Sequence, residues 1–139
     1  MKLIVDSNRI LSALIKDGLT RKLLFSKEFE FYTPDYVLEE VREYKEYVVK
    51  KTGMTFEQIE LLFQIVLENI NIIPEEKVKK KMEEAIKIME NIDRDDSPIL
   101  ACALAVQNDG IWTEEKHFEK QIKVKVWKTE ELITILEGR

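Results

Sequence analysis

Short apolar runs that alternate with helical patterns constrain this chain more than any other feature. Leu3-Ile4-Val5 reads as a buried strand that ends directly at Asp6. Ser7 to Lys16 then carries Ile10, Leu11, Leu14 and Ile15 on one helical face, and Gly18 stops it. A second short helix is expected over residues 20–26, and a brief strand at Glu30-Phe31-Tyr32. Thr33-Pro34 has the form of an N-cap followed by proline at the first helical position. It predicts one long helix to about Lys51, striped by Val37, Leu38, Val41, Tyr44 and Val48. Thr55 and Gln58 fit a capping box for a helix to about Glu68. A strand over residues 70–73 and a charged helix over residues 75–90 follow. Ser97-Pro98 opens a helix that is apolar nearly all round through Val106, and so central and buried. Ile111-Trp112-Thr113 is a strand and residues 115–120 a short helix. Ile122, Val124 and Val126 alternate as a strand, and Thr129 caps a last helix to about Glu137. Strands alternating with helices mean a parallel sheet covered on both faces. The expectation is a three-layer α/β/α fold with about five parallel strands, in a single domain spanning residues 1–139.

Composition narrows the function. The chain has 22 Lys and Arg against 27 Asp and Glu, a formal net charge of -5. A protein that grips nucleic acid by coating its phosphates with cations is usually basic, so a polyanion here would need a bound cation as intermediary. One cysteine, Cys102, excludes an internal disulfide, and one histidine, His117, excludes a histidine-rich metal site. No run of about 18 apolar residues indicates a membrane span. The opening Met1-Lys2 leads straight into the first strand with no signal-peptide pattern, so a cytoplasmic protein is expected. Neither glycine-rich phosphate motif is present, and there is no GxSxG nucleophile elbow.

Carboxylates remain. In an open parallel sheet, ligands bind beyond the carboxyl ends of the strands. Asp6 stands at the end of the first strand, where it would also serve as a helix N-cap. Glu40 falls roughly 90° from the centre of its helix's apolar stripe, at about 100° per residue, whereas Glu39, Glu43 and Glu46 fall roughly 150–170° away. Among these acids Glu40 is thus best placed to reach a cleft at the edge of the core. Asp96 closes a dense acidic loop with Asp93 and Asp95, just before the apolar helix. Glu115 lies just past the Ile111-Trp112-Thr113 strand. Each position has an ordinary structural explanation as a cap, a turn or a solvated acid. Four acids gathered on one rim would repel one another unless a hard divalent cation, Mg²⁺ or Mn²⁺, lay between them. That combination suits phosphodiester hydrolysis. Thr113 and Asn8 are candidates to orient a carboxylate or a water.

The same residues resemble the motifs of the PIN-domain family of metal-dependent nucleases. Leu3-Ile4-Val5-Asp6-Ser7-Asn8-Arg9-Ile10-Leu11 is similar to the family's opening strand, Asp and Asn. Thr33-Pro34-Asp35-Tyr36-Val37-Leu38-Glu39-Glu40-Val41 resembles the second motif, with Glu40 as its acid. Asp93-Arg94-Asp95-Asp96-Ser97-Pro98-Ile99-Leu100-Ala101 resembles the third, with Asp96 in the catalytic place. Ile111-Trp112-Thr113-Glu114-Glu115-Lys116-His117-Phe118 resembles the fourth, with departures: Glu114 stands for a Gly, Glu115 for an Asp, and His117 where a further acid often sits. The resemblance implies a small Rossmann-like sheet and one or two Mg²⁺ or Mn²⁺ ions held by Asp6, Glu40, Asp96 and Glu115. It further implies hydrolysis of single-stranded RNA, often by a homodimer, and in many prokaryotic members of this size a VapC-type toxin neutralised by a small antitoxin.

Arg9 and Lys116, next to motif residues, are candidates to meet substrate phosphates. The basic stretch 77–81 reads as a solvated helix face, and Trp112, Trp127, Cys102 and His117 read as structural or surface residues. The altered fourth motif supports an alternative, a PIN-fold RNA-binding or regulatory protein with weak or no catalysis. A receiver-like phosphoacceptor domain is a poorer fit, lacking an acidic pair after its first strand. The four proposed ligands account for four of the five excess negative charges.

Overall fold

The computed structural model describes residues 1–138. Five parallel strands, β1 (Lys2–Val5), β2 (Glu30–Pro34), β3 (Ile70–Ile73), β4 (Ile111–Trp112) and β5 (Val126–Trp127), form one sheet in the order β3-β2-β1-β4-β5. Among the described residues, eight α-helices cover its two faces in a three-layer α/β/α arrangement: α1 (Ser7–Ile15), α2 (Leu19–Leu24), α3 (Tyr36–Glu43), α4 (Lys45–Thr52), α5 (Phe56–Leu67), α6 (Glu75–Met89), α7 (Ser97–Ala105) and α8 (Thr129–Glu137).

β1 lies at the centre, which is why its apolar run is continuous rather than alternating: Leu3, Ile4 and Val5 are fully buried. Register pairs Ile4 with Tyr32 and with Ile111, and Val5 with Trp112. The residues after β1 and β4 therefore emerge side by side. From β1 the chain builds outward to β2 and β3, then returns to the other side of β1 for β4 and β5. The gap between the carboxyl ends of β1 and β4 is thus the topological switch point, where such sheets leave a crevice.

The core beneath this crevice centres on Trp112, which is fully buried with its ring centroid 5.6 Å from that of Phe31. α7 buries Ile99, Leu100, Ala101, Cys102 and Ala103 and packs against β1, β2 and α6. Burying each large aliphatic side chain stabilises the fold by about 1.5–3 kcal/mol. Gly110 precedes β4 with φ 138°, and a Cβ there would lie 2.5 Å from the Lys125 carbonyl oxygen. Only glycine allows this approach, by which Ile111 N–H reaches Lys125 O at 2.9 Å and aligns β4 with β5.

Five local expectations need correction. Thr33 and Pro34 belong to β2 and do not start a helix. The Thr33 hydroxyl, fully buried, donates to Val5 O at 2.7 Å and seals β2 to β1, leaving Asp35 at the head of α3. The expected long helix breaks at Tyr44 into α3 and α4, with Lys45 paired to Glu60 of α5. The last strand is Val126–Trp127, because Gln121 folds residues 121–124 into a turn through both backbone groups of Val124. Thr129 is the first residue of α8 rather than its cap. Its hydroxyl accepts from Trp112 Nε1 at 3.0 Å. The expected short helix over 115–120 is a 3₁₀ turn, Lys116–Lys120, and a second 3₁₀ turn spans Arg94–Asp96. No helix among the described residues is long and apolar enough to cross a membrane.

Candidate active site

Asp6 is only 7% exposed and has two roles. Its Oδ1 accepts from Arg9 N at 3.1 Å, capping α1, and its Oδ2 accepts from the Thr113 hydroxyl at 2.7 Å. One oxygen thus serves the helix cap, and the other binds Thr113 in a residue that also lines a cleft. Burial pushes the Asp6 carboxyl above its ordinary range, and the charge of Glu115 adds to this against the pull of Thr113 and Arg9.

Glu40 arrives from α3 and is half-buried. Burial raises its pKa, a hydrogen bond from Ser7 lowers it, and Asp6, Glu43 and Asp96 raise it further. Asp96 ends the Arg94–Asp96 turn. It occupies the N-cap position of α7 without making a side-chain cap bond, which leaves its carboxylate for the cleft. Its pKa is raised by burial and by Asp93, against a hydrogen bond to His117. Glu115 follows β4. Its N–H donates to Thr113 Oγ1 at 3.0 Å, and its Oε1 accepts from Asn8 Nδ2 at 3.1 Å. Thr113 thus touches Asp6 and Glu115 together, and Asn8 steadies Glu115.

Asp6, Glu40, Asp96 and Glu115 line one cleft of about 230 Å³, together with Ser7, Asn8, Asp95, Ile99 and the rings of Tyr36 and Tyr44. Four separate chain segments deliver the four acids. A larger groove of about 610 Å³ runs between α3 and α6 and holds none of them; Tyr36 borders both. Three of the four carboxyls have raised pKa values from burial and mutual repulsion. A divalent cation relieves both penalties, and an all-oxygen carboxylate set suits Mg²⁺ or Mn²⁺.

Two expected phosphate contacts are not brought to the cleft. Arg9 is buried, with its guanidinium 5.8 Å from the Trp112 ring centroid and Nη1 3.4 Å from Thr20 Oγ1. Lys116 is exposed on the Lys116–Lys120 turn and does not line the cleft. Glu114, the residue standing for the motif's glycine, turns away to accept from Thr129 N at 2.9 Å, while Glu115 faces inward.

Two residues that sequence reasoning passed over stand close to the acids, Tyr36 on the cleft wall and His117 against Asp96. Tyr36 lies one helical turn before Glu40, and burial with the charges of Glu40, Asp6 and Asp96 pushes its phenol far above the ordinary value. It therefore stays protonated and can only donate or accept as a neutral hydroxyl. Its spacing to Glu40 is the signal that could have found it. His117, read as a surface residue, places Nδ1 3.1 Å from Asp96 Oδ2, 3.2 Å from Asp93 Oδ2 and 3.9 Å from Glu115 Oε2. Its place in the fourth motif was the available hint. Cys102 remains a core residue, its thiol pushed up to about 12 by burial and so unreactive.

Comparison with known proteins agrees with this fold. A family model described as PIN domain matches residues 4–137. Among solved structures, the chain is similar to the crystal structure of VapBC2 from Rickettsia felis bound to a DNA fragment from their promoter. The match has 20% identity and a TM-score of 0.69, and covers 92% of this chain and 98% of that one. At that identity the likeness is one of fold. Among curated proteins, no sequence matches this chain.

Proposed function

The chain belongs to the PIN-domain family, and from that premise we propose that its acidic cleft is the centre of a metal-dependent endoribonuclease acting on single-stranded RNA. One observation carries the reading: Asp6, Glu40, Asp96 and Glu115, from four separate segments, line a single cleft at the switch point of the sheet. The acid in the altered fourth motif still faces that cleft, which favours a catalytic protein over an inactive family member.

In this reading Asp6 and Asp96, with Glu40 and Glu115, hold one or two Mg²⁺ or Mn²⁺ ions directly or through water. A cation bound there supplies an activated water and neutralises charge on the scissile phosphate. The chain's own residues do the positioning. Thr113 fixes the orientation of Asp6, Asn8 that of Glu115, and Ser7 that of Glu40. Tyr36 presents a neutral hydroxyl on the cleft wall, suited to donate to a phosphate or water oxygen. The net charge of -5 suits a protein that meets RNA through a cation rather than through a basic surface.

The fold likeness to a VapBC2 assembly extends the reading to a toxin-type nuclease, working in the cytoplasm as a homodimer and neutralised by a small antitoxin protein. Induced expression would then arrest bacterial growth, and Asp96→Asn would not.

The direct test is cleavage of labelled single-stranded RNA, double-stranded RNA and single-stranded DNA by purified protein with Mn²⁺, Mg²⁺ or EDTA. Single-stranded RNA should be cut only with a cation. Asp96→Asn should lower the rate at least about a hundredfold, the upper end of what loss of an outer-shell partner costs a metal site. Equal activity in wild type and Asp96→Asn would overturn the catalytic reading in favour of an RNA-binding protein.

A further inference from the structure

We propose that His117, with Asp93 and Asp96, forms a mixed nitrogen and oxygen cation subsite at the mouth of the cleft, and that this subsite makes the centre prefer a borderline transition-metal ion such as Mn²⁺ or Co²⁺ over Mg²⁺. The step rests on reading the cleft as a divalent-metal centre, and adds to it a ligand that a purely acidic motif does not contain.

One donor atom from each of Asp93, Asp96 and His117 lies within 4.8 Å of the other two. With metal–ligand bonds of about 2.1 Å, adjacent ligands of an octahedral ion stand about 3.0 Å apart and opposite ones about 4.2 Å. The distances from His117 Nδ1 to Asp96 and Asp93, 3.1 and 3.2 Å, match adjacent positions, and 3.9 Å to Glu115 Oε2 falls within the span of the set. The imidazole is presented by a fixed scaffold. Phe118, its neighbour, is fully buried, and Gln121 Nε2 ties Phe118 O at 2.9 Å and Val124 O at 2.7 Å. Asp93 is also fixed: its Oδ1 accepts from Asp95 N at 3.0 Å within the turn, and its Oδ2 faces His117.

Ligand type then sets the preference. Mg²⁺ takes oxygen ligands and keeps its waters, whereas imidazole suits later first-row ions, whose affinity for such sites rises from Mn²⁺ through Co²⁺. The same short contacts would serve an imidazolium acting as an internal counter-charge for the acids. The two roles predict opposite signs. Removing a ligand weakens cation binding, while removing a counter-charge strengthens it.

The chain has a single histidine, so any histidine nitrogen signal from the tag-free protein comes from His117. Metal-stripped protein would be titrated with Mn²⁺, Co²⁺ and Mg²⁺ by calorimetry, and the Mn²⁺ form examined by pulsed electron paramagnetic resonance for nitrogen modulation. The expected result is nitrogen modulation in wild type that His117→Ala abolishes. That variant should also bind Mn²⁺ and Co²⁺ at least about tenfold more weakly and Mg²⁺ unchanged, a loss typical of disturbed metal ligation. His117→Ala, at a half-exposed position, should keep the wild-type circular dichroism spectrum. Absent nitrogen modulation, or Mn²⁺ binding as tight or tighter in His117→Ala, overturns the proposal. If Asp96→Asn loses Mn²⁺ while His117→Ala keeps it, the nuclease centre stands without its nitrogen ligand. Wild type that binds no divalent cation overturns both.

Discussion

The Thr113 hydroxyl donates to Asp6 Oδ2 at 2.7 Å across the seam between β1 and β4, joining residues 107 apart in the chain. The same oxygen accepts from Glu115 N at 3.0 Å, so one hydroxyl orients two of the four acids. Thr113→Val should remove both bonds and leave a buried carboxylate short of a donor, costing about 1–3 kcal/mol. It should also raise the Asp6 pKa further, moving the acid limb of the pH–rate profile to higher pH. Thr113→Ser should restore both properties. Urea denaturation and a pH series of RNA cleavage check this; an unmoved acid limb would remove Thr113 from the site.

The acids make stability depend on pH in a definite direction. Asp6, Glu40 and Asp96 have folded-state values raised above their ordinary 3.8, 4.5 and 3.8. The folded state therefore holds these protons more tightly than the unfolded chain does. Their favourable contribution is full below the ordinary values and is lost as pH rises through the raised ones. The stability of wild type relative to Asp6→Asn should thus fall as pH rises above about 4. Added Mn²⁺ should raise the melting temperature of wild type less and less as the pH is lowered toward the ordinary carboxylate range, because protonated ligands do not bind metal. Thermal denaturation of both proteins at several pH values, with and without Mn²⁺, measures this. A relative stability that rises with pH would contradict it.

Arg9 should matter to folding and not to RNA affinity. Its guanidinium is buried beside Trp112 and near Thr20, and Arg9 does not line the cleft. Arg9→Ala should destabilise the fold by about 1–3 kcal/mol through lost packing and lost charge balance at Asp6. KM for single-stranded RNA, measured below the melting temperature, should stay within about twofold of wild type, since no phosphate contact is lost. A raised KM with unchanged stability would return Arg9 to the substrate.

Gly110 fixes β4, and through it Thr113 and Glu115. Gly110→Ala must place a Cβ against the Lys125 carbonyl at a backbone angle that L residues rarely adopt. A loss of about 1–3 kcal/mol is expected, with activity falling alongside. Denaturation midpoints check it; a variant as stable as wild type would show that β4 and β5 can separate without harm.

The first strand was legible because an apolar run ending at an aspartate has few other meanings; Asp6, Asp96 and Glu115 stood out by their places at element ends, and Glu40 by its angle from the apolar stripe of its helix. Thr33-Pro34 misled because the same pair suits a helix start and a strand end. Tertiary contact decided, with the Thr33 hydroxyl closing on Val5 O. The break at Tyr44 has no proline or glycine to announce it. The alternation over Ile122, Val124 and Val126 imitated a strand, yet Ile122 is fully exposed and Gln121 makes the segment a turn. His117 was hidden for a simpler reason. Its partners Asp93 and Asp96 lie more than twenty residues earlier, and only the folded chain brings the 3₁₀ turns together.

The function of the cleft turns on whether Asp6, Glu40, Asp96 and Glu115 hold a cation. A crystal of the wild-type protein soaked in Mn²⁺ and measured for anomalous scattering at the manganese edge decides it. A peak within bonding distance of Asp6 and Asp96 in the cleft, absent from the Asp96→Asn crystal, is the predicted result. A cleft without a peak at saturating Mn²⁺, or a peak only elsewhere on the surface, would contradict it.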